Sequence, residues 1–262
     1  MHWFLLALSV RCCSSLCDNW RLASSTTSPQ RDFYEIARRA GTDKVTTHQY
    51  QHVYQRFLGP LSHDDTPEFL MIEIGFAGGS SARAFREFLP RGELHEIEVG
   101  CVRPKTPHYN DWIYEAPLFS IMRKEGRLHC GSGASRDFML ALLAKLDRAP
   151  AVVIDDGGHS AEEMIGSFNL LFPRLAPCGL FFMEDLQESY RVGERDGFHV
   201  KVLRPALEAL HYAADDAAVR GLRGNMSTAI VSRLRAVHCA QHICVFERND
   251  APPAATPVEH QK

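Results

Sequence analysis

What this chain lacks narrows its class first. None of its apolar runs reaches the roughly 18 residues that a membrane-spanning helix needs, so no membrane span is expected. Positive charge is not in excess: 29 Lys and Arg against 32 Asp and Glu give a formal net charge of −3. That leaves no electrostatic footprint for nucleic acid or an anionic membrane surface. Its 8 cysteines form no Cys-x-x-Cys pair, and no Cys–His spacing matches a structural zinc site. The Gly-x-Gly-x-x-Gly dinucleotide fingerprint is missing as well. What remains is a chain of 262 residues, 45% hydrophobic and 23% charged, long enough for one large α/β domain with its own core.

The cysteines are Cys12, Cys13, Cys17, Cys101, Cys130, Cys178, Cys239 and Cys244. Several fall in apolar runs, where a free cysteine behaves as a small hydrophobe. That favours a reducing compartment and predicts a cytoplasmic protein. The alternative is the secretory pathway, because Trp3 to Val10 resembles the apolar core of a signal peptide and Ser15-Leu16-Cys17 resembles its cleavage site. Against it, no basic residue precedes that run and Arg11 follows at once. Residues 1–30 are therefore expected to be a disordered or weakly signal-like leader, ending in the polar stretch Ala23 to Pro29.

From Arg31 the spacing predicts a helix carrying Phe33, Ile36 and Ala37, stopped at Gly41. A second helix is predicted from Thr47 to Leu58 on the stripe Tyr50, Val53, Tyr54 and Phe57, making residues 31–66 an N-terminal helical cap. Residues 67–248 then alternate strand and helix. Strands are predicted at Phe69–Gly75, Glu93–Val99, Gly126–Cys130, Ala151–Asp155 and after Gly179, with helices at Ser81–Phe88, Asp137–Leu146 and after Ser160. Ser160 and Glu163 make a capping box for the last of these. Such alternation means a doubly wound, mostly parallel sheet. Val202 to Ala213 reads as helix, Arg233–Val237 and His242–Phe246 as a closing hairpin, and 249–262 as a disordered tail.

Two blocks carry most of the functional information. Val152-Val153-Ile154-Asp155-Asp156-Gly157-Gly158-His159 and Phe181-Phe182-Met183-Glu184-Asp185 are apolar runs that end abruptly in acids. Buried parallel strands read this way where their carboxyl ends open onto a site. On neighbouring strands, about 5 Å apart, Asp156, Glu184 and Asp185 converge with His159 one turn further on. No basic residue stands among them in these blocks, so they repel unless a cation sits between them. An all-oxygen set favours Mg2+ over zinc. Asp155 faces the other way on its strand and is expected to cap the turn that follows.

The first strand leads into Gly75-Phe76-Ala77-Gly78-Gly79-Ser80, a Gly-rich turn that lets a ligand approach the backbone at a helix N-terminus. Glu98, near the end of the second strand, stands where nucleotide-type sites keep a ribose-binding acid, with Glu96 as the competing choice. Tyr50, Tyr54 and Tyr190 lie at spacings that read as core, and no role is assigned to them.

These motifs, with Gly41-Thr42-Asp43-Lys44, His48-Gln49-Tyr50, Tyr54 and Glu184-Asp185-Leu186-Gln187-Glu188-Ser189-Tyr190, resemble the metal-dependent O-methyltransferases that act on macrolide sugars and their fungal hard-surface-induced relatives. The resemblance runs from about Gly41 to Tyr190. It implies a Rossmann-like class I methyltransferase with an N-terminal helical segment, using S-adenosylmethionine and Mg2+ on a hydroxyl of a sugar or natural product. By position it implies Asp156, Glu184 and Asp185 as metal ligands and His159 as general base. It places Thr42, Gly75, Ser80, Glu98, Ser132, Gly133 and Asp156 at the cofactor. Its partner is then a small-molecule acceptor, and a homo-oligomer is compatible with it. One departure stands out: after the third strand the family carries Gly-Asp-Gln, whereas this chain has Gly131-Ser132-Gly133, without the negative charge. That departure motivates the alternative of a non-catalytic methyltransferase-like scaffold with a degraded cofactor site.

Overall fold

The computed structural model describes residues 29–102, 111–190, 196–211 and 226–250. The predicted leader through residue 28, the tail from 251 and the end of the helix expected at Val202–Ala213 lie outside the described residues.

The N-terminal segment folds as α1 (Phe33–Ala40), α2 (Asp43–Thr46) and α3 (Gln51–Leu58). Asp32 caps α1 by accepting from the Glu35 N–H, and Gly41 ends it in the left-handed conformation at φ 73°, the usual helix-stopping geometry. The predicted Thr47 start of the second helix is displaced. Thr42 caps the separate short helix α2, and the chain resumes helix only at Gln51.

The sheet strands are β1 (Phe69–Ile74), β2 (Gly92–Glu98), β3 (Leu128–Cys130), β4 (Val152–Asp155), β5 (Leu180–Met183), β6 (Leu234–Ala240) and β7 (Ile243–Arg248). Between them run α4 (Ser80–Phe88), α5 (Pro117–Lys124), α6 (Arg136–Leu146) and α7 (Ala161–Leu171), and Arg204–Ala209 follows β5. Every strand and helix predicted from Phe69 to Met183 is present within one to two residues. The strand order is β3-β2-β1-β4-β5-β7-β6. β1 to β5 pair in parallel, while β7 is antiparallel to both β5 and β6. The order reverses between β1 and β4, and ligands of open α/β sheets collect at that switch point.

Strand alternation sorts the core into two layers. Met71, Val152, Ile154, Phe182 and Val245 face the layer that contains α1, α3 and α4. Ile72, Ile74, Val153, Phe181 and Phe246 face the layer under α6 and α7. Tyr54 stacks on Phe182 with ring centroids 5.1 Å apart, so the N-terminal helices seat directly on the sheet. Carried past the strand ends, the same alternation puts Glu73, Asp156 and Glu184 on the side of the N-terminal helices and Asp155 on the other.

The cysteines depart from their predicted free state. Cys101 is bonded to Cys130, and Cys239 to Cys244. Cys239 and Cys244 are register partners across the β6–β7 hairpin, and Cys101 follows Glu98, the register partner of Cys130. Proximity across the sheet, not sequence spacing, pairs them. No helix among the described residues is long and apolar enough to cross a membrane.

Candidate active site

The site opens at the switch point. Gly75 leaves β1 at φ 105° and Asp156 leaves β4 beside it, its N–H donating to the Ile74 carbonyl at 3.0 Å. Left-handed backbone occurs at Ala77, His159 and Asp185, with φ of 48°, 54° and 51°. Such non-glycine conformations cost energy and concentrate at functional turns. The turns after β1, β4 and β5 each hold one.

A cavity of about 610 Å³ lies over the carboxyl ends of β1, β2 and β4. Gly75, Glu98, Ser132, Gly133 and Asp156 all line it, so the structure gathers five of the seven predicted cofactor residues around one space. Thr42 and Ser80 are not in its lining. Thr42 is buried as the α2 cap, and Ser80 begins α4. Glu98 is committed to the protein at both oxygens: Oε2 accepts from the Ala77 N–H at 3.0 Å and Oε1 from the Gly100 N–H at 2.5 Å. A carboxylate offers about four acceptor positions, so it can hold the Gly-rich turn in place and still face the cavity. Asp155, at the cavity wall, behaves as its strand parity predicts. It accepts from the Gly157 N–H at 3.2 Å and from the Ser167 hydroxyl, tying the Asp-Gly-Gly-His turn to α7. Burial pushes its carboxyl up to about 6.

Beyond the cavity the acids meet. Asp156, His159 and Asp185 each offer a ligand atom, and these atoms lie within 4.8 Å of one another. His159 Nε2 is 3.4 Å from Asp185 Oδ2 and 3.9 Å from Asp156 Oδ1. Two carboxylates and an imidazole so disposed fit a divalent cation. Asp185 also accepts from the Tyr50 hydroxyl at 2.9 Å, with His48 Nε2 at 3.7 Å. Burial raises the Asp185 carboxyl, but the hydrogen bonds from Tyr50 and Gln187 and the nearby histidines outweigh it and hold it below the usual range.

Glu184 belongs to a different environment. It is 1% exposed, and its Oε1 is taken by Lys44 Nζ at 2.7 Å and by the Tyr54 hydroxyl. Part of the positive charge that the converging acids call for is thus supplied by the chain itself, at Asp156 and Glu184, which corrects the reading that no basic residue stands among them. Burial alone would depress the Lys44 ammonium, yet Asp156 and Glu184 hold it well above its usual value. The signal was present in Gly41-Thr42-Asp43-Lys44, but a lysine in a polar segment reads as solvated. Tyr50 and Tyr54 are likewise site residues as well as core. Tyr190 is 60% exposed and stacks on His199.

Behind Lys44, Glu73 and Glu96 face each other in register on β1 and β2, both fully buried. Burial first, and then Glu73, push the Glu96 carboxyl well above its usual range. An acid raised on folding stabilises the native state fully below its unfolded value near 4.5, and that contribution fades as pH rises through the folded value. Stability is therefore expected to fall with rising pH above about 4.5, by up to about 1.4 kcal/mol per unit for each linked proton. Glu96→Gln is expected to flatten that slope and to be neutral or stabilising at pH 7. Urea unfolding from pH 5 to 8 checks it; an unchanged slope would show that Glu96 is ionised in the native state.

No protein-family model matches the chain. Over 190 residues it is 28% identical to the 8-demethyl-8-alpha-L-rhamnosyl tetracenomycin-C 2'-O-methyltransferase of Streptomyces olivaceus, covering 68% of this chain and 45% of that protein. The 3'-O-methyltransferase of the same organism, which acts on 8-demethyl-8-(2-methoxy-alpha-L-rhamnosyl)-tetracenomycin-C, is 25% identical over 244 residues, 87% of this chain and 56% of its own. The chain is a relative of these sugar O-methyltransferases. It spans about half the length of the curated relatives it matches. Among solved structures it resembles the MycE methyltransferase of the mycinamycin biosynthetic pathway, in complex with Mg and SAH. That match has a TM-score of 0.64 and 21% identity over 90% of this chain and 58% of MycE. The fold is accordingly the Rossmann-like class I methyltransferase fold predicted from the sequence.

Proposed function

We propose that this relative of the sugar O-methyltransferases transfers a methyl group from S-adenosylmethionine to a sugar hydroxyl of a glycosylated small molecule, assisted by Mg2+. The observation that carries this reading is the abutment of two features at Asp156. A ligand-sized cavity lined by Gly75, Glu98, Ser132 and Gly133 meets the Asp156–His159–Asp185 cluster there. Glu98 and Ser132 would hold the cofactor's adenosine end, and Gly75 and Asp156 line the part of the cavity next to the acid cluster.

Methyl transfer forms an O–CH3 bond as the S–CH3 bond breaks, so the acceptor oxygen must lie behind the methyl carbon. That is mainly a positioning problem. A divalent ion held by Asp156 and Asp185 would orient the acceptor hydroxyl and lower its pKa. His159, beside both carboxylates, accepts the hydroxyl proton as general base. Tyr50 fixes the Asp185 carboxylate by its hydrogen bond. Glu98 holds the Gly-rich turn, and its remaining lone pairs would accept from the ribose hydroxyls of the bound cofactor.

The disulfides Cys101–Cys130 and Cys239–Cys244 support the secretory alternative over the cytoplasm, since such bonds persist in oxidising compartments. The scaffold reading rests on Ser132, which lacks the charge that the family carries there. Methyl-labelled S-adenosylmethionine with rhamnosylated acceptors separates the two. Label transfer that EDTA abolishes and Mg2+ restores is expected. Transfer to none of a panel of glycosylated acceptors favours the scaffold.

A further inference from the structure

Lys44 has no part in the chemistry above, yet it is the most tightly held charge beside it. The side chain is 1% exposed, and Nζ lies 2.6 Å from Asp156 Oδ2, 2.7 Å from Glu184 Oε1 and 3.4 Å from Glu73 Oε1. Its own backbone is fixed at both ends. The Lys44 N–H donates to the Thr42 hydroxyl at 3.4 Å, and its carbonyl accepts from the Tyr50 N–H at 3.0 Å. The same short segment therefore carries Lys44 onto Asp156 and Glu184 and Tyr50 onto Asp185. Tyr54, one turn further along α3, closes on the Glu184 oxygen that Lys44 holds.

We infer that Lys44 is the positioning residue of the divalent-ion site: it anchors Asp156 Oδ2 and Glu184 Oε1 and so leaves Asp156 Oδ1 and the Asp185 carboxylate to hold the ion, with His159 beside them. The inference rests on the function proposed above. A carboxylate has two oxygens, and anchoring one on a fixed ammonium sets the direction of the other. At Asp156 the anchored oxygen is Oδ2, and the one nearer His159 is Oδ1. Glu184 shares its oxygen between Lys44 and Tyr54, and the group of converging ligand atoms comprises Asp156, His159 and Asp185. The ammonium also offsets charge. Without it three buried or half-buried carboxylates meet with no cation from the protein, and a buried charge that loses its partner is costly. Partners that orient metal ligands without touching the ion matter about 10–100-fold in metal affinity.

The test is a titration with Mn2+ as probe, read by calorimetry and by electron paramagnetic resonance, on the wild-type protein and Lys44→Met. The expected result is at least about tenfold weaker Mn2+ binding by Lys44→Met and an altered Mn2+ spectrum, with S-adenosylmethionine affinity within about twofold of wild type. Unchanged Mn2+ affinity and spectrum in a folded Lys44→Met protein overturn the inference and leave the proposed function standing. Wild-type protein that binds neither Mn2+ nor S-adenosylmethionine overturns both. If Lys44→Met does not fold, wild-type protein carrying 13Cε-lysine decides the question. Mn2+ should broaden the buried Lys44 signal selectively where Mg2+ does not; a sharp Lys44 signal at saturating Mn2+ overturns the inference.

Discussion

His159→Ala is expected to lower the rate of methyl transfer by about 10²–10⁴-fold, the usual worth of a positioned general base, while leaving the fold and cofactor binding intact. The imidazole is the one group of the acid cluster able to take a proton from a neutral hydroxyl without first losing an ion-holding carboxylate. Its Nε2 stands 3.4 Å from Asp185 Oδ2 and 3.9 Å from Asp156 Oδ1, the oxygen other than the one that Lys44 holds. Truncation should be tolerated because the side chain is partly exposed and the helix start does not depend on it. Ser160 accepts from the Glu163 N–H at 3.3 Å and caps α7 by itself. Alanine at the left-handed position, φ 54°, adds strain of about 1 kcal/mol, too little to unfold a domain. The check is the transfer rate at saturating S-adenosylmethionine beside a thermal melt. Full activity in a folded His159→Ala protein would remove His159 from the mechanism.

Gly75→Ala should destabilise by about 3 kcal/mol or more, through a backbone collision compounded by strain. A Cβ at Gly75 would sit 2.0 Å from the Asp156 carbonyl oxygen and 2.8 Å from its carbon. Neither is the end of a flexible side chain. Relief by separating the strands is blocked, because the Asp156 N–H donates to Ile74 at 3.0 Å and the Gly75 N–H to Ile97 at 2.9 Å. The conformation, φ 105°, is also one that side chains rarely adopt. Gly41→Ala is the control: φ is 73°, but nothing lies within 4 Å of the added atom, so only about 1 kcal/mol is expected. Urea unfolding of both variants measures the difference. Equal losses would mean that the close approach of β1 and β4 contributes nothing.

The fold was legible where burial imposes a simple pattern. Val152–Asp155 and Leu180–Met183 are buried throughout, so they read as apolar runs ending in acids, and their partnership in the sheet followed. The parity argument for Asp155 was also sufficient, since alternation needs no knowledge of the third dimension. Lys44 was not legible from its neighbours. Only after α1 to α3 are known to cover the face bearing Glu73, Asp156 and Glu184 does the charge imbalance there require a cation, and Lys44 is the one that reaches. Cys101 and Cys130 lie 29 residues apart and meet only because β2 and β3 pair. Thr42 and Ser80 were assigned by resemblance alone, and their side chains stand outside the cavity lining that holds the other five cofactor candidates.

The most direct measurement is isothermal titration of the full chain with S-adenosylmethionine, with and without Mg2+. Micromolar binding is expected, retained by Ser132→Asp and lost on filling the cavity with Gly133→Phe, whose side chain would start against Ile74. Absence of binding at millimolar cofactor under both conditions, from protein that melts cooperatively, would contradict a methyltransferase and leave a scaffold built on the same fold.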